Sequence, residues 1–543
     1  MNAFGLPPLS GDHPPEFTDV VLCRKWLAGV PLNNPAQAQV HLLRQLHLLN
    51  RHPLAAGVRV EILEALRPAV VSVQETGLKR FAGKALPLAA AEEAAFEATQ
   101  NLWQALCDGY LRCIEAWMSE GRGDADRKAL AAERALAALA ARQLDIYRGG
   151  RQPAPPHWRL LHAVFRAAEE MRVTGVGVEE VEGKGASTTP MAAYAAALLL
   201  HLASPHELSA RHLSWVVRWA RRWAGKVVVG LSMPADPKAI PACVDLASDQ
   251  PAGYMPRAGD GARWLDPTEL RRSLKARIVR LDKGESPAAL QLGEDCVQPA
   301  CGEVLNQAYQ RWCRGGLGRR QDRRPASGGC EFVCDVPAIH YYLSGRKPFK
   351  QPGVAGGDLL RIEREEIATF GRISTRREEN FSVQQGFELE SWQVLEDWSL
   401  LNESATGVRI ARNLRQPGHR LAAGQLVAVR PSDARALLLG MARWVMAGSD
   451  GLLHAGIQFF AGQAEPVALR STGLTAVREP YRQGFLLPAI AALDQPATVI
   501  MPVGWFRVEG VVEVFTDRAR QVRVVRLIER GADFERAEYK ASA

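Results

Sequence analysis

The sequence predicts a multidomain α+β protein: an N-terminal helical array, a middle α/β unit and a β-rich C-terminal part. Three observations carry that prediction. Residues 35–223 are dominated by Ala, Leu, Glu and Arg, with apolar positions recurring every three or four residues. From about residue 224 the pattern breaks into short strand-like and helix-like pieces. Toward the C-terminus, Val-rich alternating runs are separated by Gly and Asp turns. The boundaries read as a lead-in at 1–34, the helical array at 35–223, the mixed unit at 224–350, and two β domains at 360–475 and 476–543. A chain of 543 residues that is 47% hydrophobic and 23% charged is globular and not disordered. Its net charge of +8 suits anionic partners, but spread over this length it does not by itself argue for nucleic acid.

In the helical part, Leu42, Leu43, Leu46, Leu48 and Leu49 open one helix, and Phe96, Leu102, Leu106, Tyr110 and Trp117 mark another. Breaks fall at Pro53, at Gly83 with Pro87, at Gly121, at Gly149-Gly150 and at Pro205. The tetratricopeptide consensus does not recur at a fixed period, so an irregular array of packed helices is expected, either purely structural or a platform for a protein partner. Trp215, Trp219 and Trp223, four residues apart, read as core.

In the mixed unit, Lys226–Gly230, Ala242–Leu246 and Glu331–Cys334 read as strands, and Pro267–Leu281 and Cys301–Cys313 as helices. Asp266-Pro267 has the chemistry of a helix start. The Gly-rich basic stretch from Arg314 to Gly329 reads as a solvated connector, or as an arm for RNA or an acidic partner. Nine cysteines without Cys-x2-Cys spacing argue against structural zinc at Cys296, Cys301, Cys313, Cys330 and Cys334, and for reduced thiols.

The most informative segment lies further on. Arg372 and Arg376 are four apart, so in an extended chain both guanidiniums point to one side and can converge on one anion. One strand later comes Asn402-x-Ser404-x-x-Gly407, where Asn and Ser can bond their own turn or a base edge, and Gly can adopt positive φ and admit a ligand close to the main chain. The implied ligand is small, flat and doubly anionic.

R-x-x-x-R followed by D/N-x-S-x-x-G resembles the signature of PilZ domains, small six-stranded antiparallel β-barrels that bind cyclic di-GMP. Gly407–Ile410, Gln425–Arg430, Ala436–Met446 and Ala455–Phe460 read as successive barrel strands. Many PilZ domains carry a doubled arginine leading into the first strand; Arg376-Arg377 is such a doublet, and in that register Asn380 stands where the second arginine belongs. The resemblance therefore implies a PilZ-like barrel followed by a second small β domain, with cyclic di-GMP as ligand. Arg372, Arg376 and Arg377 would clamp phosphates and Hoogsteen edges, while Asn402, Ser404 and Gly407 would cradle one guanine. Ligand binding is then expected to order residues 365–381 and reposition the barrel. PilZ proteins with long N-terminal extensions imply an output in surface attachment, biofilm, pilus or flagellar motility.

Catalytic signatures are missing: there is no phosphate loop, H-E-x-x-H pair or G-x-S-x-G elbow. Gly183-Lys184-Gly185 lacks the Ser or Thr that should follow the lysine. A non-enzymatic receptor without cofactor or metal is expected. Met1–Phe17 shows no secretory pattern, and the longest apolar run, Met191–Ala203, is too short to span a bilayer, so a cytoplasmic location is expected. Two alternatives are an RNA- or DNA-binding protein using Arg314–Arg324 and a scaffold whose barrel takes no ligand. With no histidine among the candidate residues, affinity should vary little near neutral pH.

Overall fold

The computed structural model of the protein describes residues 4–121, 123–179, 187–236, 238–316, 324–352, 395–472 and 480–541. The chain divides into two compact units, residues 1–84 with 88–319, and residues 85–87 with 320–543.

The first unit opens with the helical array: α1 (Val20–Leu27), α2 (Pro35–Arg51), α3 (Ala56–Leu78), α4 (Ala90–Glu120), α5 (Ala125–Arg148) and α6 (Pro155–Glu170). A two-stranded ribbon, β1 (Val178–Glu179) and β2 (Ser187–Thr188), precedes α7 (Pro190–Leu202) and α8 (Ala210–Trp223). Helix starts follow from local chemistry. Asn34, Thr189 and Ser209 each accept a backbone N–H of the first turn through the side chain, and Pro35 and Pro190 occupy first positions where no N–H is needed. Gly121 ends α4 at φ 63°, a backbone that disfavours side chains with a Cβ. The tryptophan stripe of α8 is core: the Trp215 and Trp219 indoles donate to Asp295 Oδ2 at 2.8 Å and to the Leu292 carbonyl at 2.9 Å.

The mixed α/β part of this unit is a three-stranded antiparallel sheet of β3 (Val228–Gly230), β4 (Ala242–Asp245) and β5 (Ala262–Asp266), with β5 central. It is followed by α9 (Thr268–Asp282) and α10 (Ala300–Cys313). Asp266 accepts the Thr268 N–H at 2.9 Å, the helix start expected from Asp266-Pro267. One cysteine expectation is corrected. Cys296 and Cys301 form a disulfide, because the turn entering α10 brings their Cα atoms to 5.4 Å, within bridging reach. The other cysteines of the described residues are free and buried.

The second unit holds two closed six-stranded antiparallel barrels. The first runs β10-β11-β8-β7-β6-β9 around its wall, from β6 (Arg324–Cys334), β7 (Glu396–Ser404), β8 (Gly407–Asn413), β9 (Leu426–Pro431), β10 (Leu438–Ala447) and β11 (Leu452–Phe459). The stretch around Cys330–Cys334, read from sequence as part of the mixed unit, closes this barrel between β7 and β9. Cys330, Phe332 and Cys334 alternate on one face and are buried, with the Phe332 ring 4.8 Å from Trp398. The second barrel runs β12-β13-β14-β17-β16-β15, from β12 (Glu465–Ser471), β13 (Arg482–Leu487), β14 (Thr498–Met501), β15 (Val511–Phe515), β16 (Ala519–Arg530) and β17 (Glu535–Ala541). Between them lies α11 (Val336–Leu343), whose Ala338 and Ile339 join Leu426, Ala428 and Met441 of the first barrel and Phe485, Leu487 and Ile500 of the second in one apolar cluster. Among the described residues no helix is long and apolar enough to cross a membrane.

Candidate ligand site on the first barrel

The candidate residues Asn402, Ser404 and Gly407 come together on the β7–β8 hairpin. Ser404 and Gly407 are direct partners across its turn, and Ser404 Oγ donates to the Gly407 carbonyl at 3.2 Å. Leu400 opposes Ile410, a fully buried core residue, but the register shifts before Asn402, which opposes Arg409. Side chains alternate along a strand, so Arg409, beside Ile410, points away from the interior, and Asn402 shares its outer face. Arg372, Arg376 and Arg377 lie outside the described residues.

The glycine works differently from the sequence expectation. Gly407 is not among the residues at positive φ; a Cβ there would collide with the Ile457 carbonyl of β11, so glycine serves close strand approach. Proline stands at the other flank, with Pro325 of β6 opposite Asn402.

Three residues that sequence reasoning missed share this outer face. Arg409 opposes Gly456, and Gly456 opposes Trp444, so Asn402, Arg409, Gly456 and Trp444 form a row across four strands. A Cβ on Gly456 would strike the Trp444 indole, which explains the glycine beneath it. The Arg409 guanidinium sits 5.7 Å from the Trp444 ring centre and has one Nη 3.4 Å from His454 Nδ1. His454 Nε2 in turn lies 2.9 Å from Asp450. β11 thus brings His454 beside Arg409 of β8, a histidine next to the candidate hairpin that the sequence does not place there. The spacing signal was present: Arg409 lies two residues beyond Gly407 on a strand, hence on the same face.

Two polar atoms here are unsatisfied among the described residues. Asn402 Oδ1 and Arg409 Nε are buried without a hydrogen-bond partner, and no carboxylate among the described residues pairs with Arg409. Buried polar atoms are rarely left unpaired, since each costs about 1–3 kcal/mol. The face thus offers an amide acceptor, an unneutralised guanidinium and an indole, a set suited to a planar heterocycle attached to an anion.

The opposite arrangement holds on the interior side. Glu396 accepts from Arg412 Nη1 at 2.9 Å, Trp398 Nε1 at 2.9 Å, His419 N at 2.6 Å and His419 Nδ1 at 2.8 Å. Burial pushes the Glu396 carboxyl upward, but these donors outweigh it and hold the group below its usual range. The same bond to Glu396 raises the His419 imidazole. That cluster answers its carboxylate internally, with Arg412 Nε left without a partner among the described residues.

A helical array with a mixed α/β part, followed in the chain by paired small barrels, one carrying unsatisfied polar atoms on its outer face among the described residues, defines a multidomain α+β class of protein. Comparison with known proteins gives this class a more particular relation. Residues 22–235 match the family described as cyclic-di-GMP receptor FimW, N-terminal domain, and residues 467–542 match the FimW C-terminal beta-barrel domain. The latter match falls on the second barrel. The chain is also similar to the Cyclic-di-GMP receptor FimW of Pseudomonas aeruginosa, 24% identical over 524 residues, covering 88% of this chain and 83% of the relative.

Proposed function

We propose that this protein is a non-enzymatic, cytoplasmic cyclic di-GMP receptor whose ligand is held on the outer face of the first, PilZ-like barrel. The observation that carries this reading is the likeness to a cyclic di-GMP receptor over 88% of the chain. The hairpin supports the location. Asn402, Ser404 and Gly407 would receive one guanine, and Arg372, Arg376 and Arg377 would supply the guanidiniums for phosphates and Hoogsteen edges. Arg409 and Trp444 extend that face by a fixed cation and a ring on which a purine can stack. Output through a protein partner of the helical array, in pilus motility or surface attachment, completes the proposal.

Calorimetry of the full chain with cyclic di-GMP tests it. Wild type should bind, and Arg376→Ala and Ser404→Ala should each weaken binding, the arginine variant by about a hundredfold or more as charge-assisted bonds are lost. Wild-type binding untouched by either substitution would move the site elsewhere; no heat at high ligand excess would defeat the receptor reading.

A further inference from the structure

A second polar site, in the first unit and lined mainly by the helical array with Phe4 and Gly5 of the lead-in, has no role in the barrel proposal. Three consecutive helices each turn one face toward a cleft of about 950 Å³. Helix α4 presents Glu97, Gln100, Asn101 and Gln104; α5 presents Arg142 and Ile146; α6 presents Pro156, His157, Leu160 and Ala163, each set at three- and four-residue spacing. Arg151, between α5 and α6, completes the wall.

The cleft gathers an unusual share of unsatisfied side-chain atoms. Gln100 is 7% exposed and His157 3% exposed, yet both amide atoms of Gln100 and both ring nitrogens of His157 are buried without partners among the described residues. The same is true of Arg142 Nε and Arg151 Nε. Six such atoms, all on residues that line one cavity, would be a heavy cost if the cavity were merely packing. Burial lowers His157 to about 3, so its ring is neutral and offers one donor and one acceptor.

Charge then selects the ligand. Arg151 pairs with Glu93 at 2.5 Å and Arg159, on the rim, with Asp249 at 3.1 Å. Arg142 has no ion pair or hydrogen bond among the described residues, although the Asp108 carboxylate is near enough to act on it, and Glu97 lies elsewhere on the lining. A half-buried guanidinium without a paired carboxylate suits an anion. Gln100 adds a donor and an acceptor side by side, the complement of a heterocyclic base edge, while Phe96, Ile146 and Leu160 supply apolar wall. The volume lies in the range of small-molecule sites.

We infer that the α4–α6 cleft is a nucleotide-binding site, with Arg142 taking a phosphate and Gln100 and His157 reading the base. It is independent of the barrel and does not rest on cyclic di-GMP binding there. The test uses the full chain carrying Arg376→Ala, Asn402→Ala and Ser404→Ala, so that the barrel face is disabled, titrated calorimetrically with AMP, GMP, cyclic di-GMP and inorganic phosphate. At least one nucleotide should bind at one equivalent, and Arg142→Met and Gln100→Leu should each weaken it about tenfold or more. Ala163→Phe, placed on the half-buried rim to fill the cleft, should abolish binding while leaving the helical circular dichroism intact, which guards against misfolding of the arginine variant. Failure of every nucleotide to bind, phosphate binding as tightly as the nucleotides, or binding indifferent to all three cleft substitutions would overturn the inference.

Discussion

The two barrels share closure, strand number and antiparallel pairing, yet they treat their polar groups differently. In the second barrel, Glu535, fully buried, accepts the Phe506 N–H at 2.8 Å and pairs with Arg530 at 2.7 Å. Arg536 Nε donates to Thr498 at 3.0 Å, and Arg470 pairs with Glu513 at 2.6 Å. Each of these charges has a neighbour that answers it. In the first barrel Glu396 answers the Arg412 charge, although Arg412 Nε itself has no partner among the described residues, whereas on the β7–β8 face no carboxylate among them pairs with Arg409, and Asn402 Oδ1 and Arg409 Nε go unanswered there. A closed barrel is thus a frame; the difference between frame and binding site lies in which polar groups the fold declines to satisfy.

The largest expected effect tests the structural side of this contrast. Glu396→Ala strands Arg412, 3% exposed, without its carboxylate, and should destabilise the second unit by about 3 kcal/mol or more in urea denaturation. The pH dependence has two limbs. The depressed Glu396 contributes stability that is present at neutral pH and lost as pH falls through its folded-state value; the raised His419 contributes stability that is present at mildly acidic pH and lost as pH rises through its own. Glu396→Ala should flatten both limbs, and an unchanged pH profile would refute this assignment.

A smaller effect is expected at the junction between the barrels. Asp533 accepts the Leu426 N–H at 2.9 Å, and burial raises its carboxyl to about 6. A folded-state value above the unfolded one means that stability falls as pH rises from about 4 to 6. Asp533→Asn keeps the acceptor and removes the charge, so it should stabilise the protein by about 1 kcal/mol at pH 7, with the gain fading toward pH 4. Thermal melts at the two pH values check this; equal gains at both would contradict it.

The smallest stability change should accompany one of the clearest losses of binding. Asn402→Leu removes an unsatisfied amide, so without ligand its stability should stay within about 1 kcal/mol of wild type, while cyclic di-GMP affinity falls. A strongly destabilised Asn402→Leu would put Asn402 with Glu396 among the structural groups and erase the contrast.

Much of this frame was legible from sequence, because local periodicity sets it. The helix breaks at Pro53, Gly121 and Pro205, the Asp266 helix start and the strand runs around Val408, Val427 and Val445 all depend on near neighbours. What escaped depends on distant partners. The Cys330–Cys334 run reads as a strand in isolation, but nothing local says that it pairs with β7 and β9. Gly407 announced a glycine requirement without revealing whether dihedral freedom or the Ile457 carbonyl imposes it. Arg409, Trp444 and His454 become neighbours only once β8, β11 and β10 align. In the helical array, Gln100, Arg142 and His157 lie on three separate helices, and no motif spacing connects them.

The wedge helix α11 carries a practical corollary. Its Ile339 is shared property of both barrels, and Phe460 of one touches Phe534 beside the other with ring centres 5.8 Å apart. Cutting the chain between β11 and β12, after Phe460, to isolate the first barrel would lay bare Leu426, Met441 and Phe460 along an oily flank, and such a fragment would be expected to aggregate. The pair is therefore expected to unfold as one cooperative object and is best engineered as one.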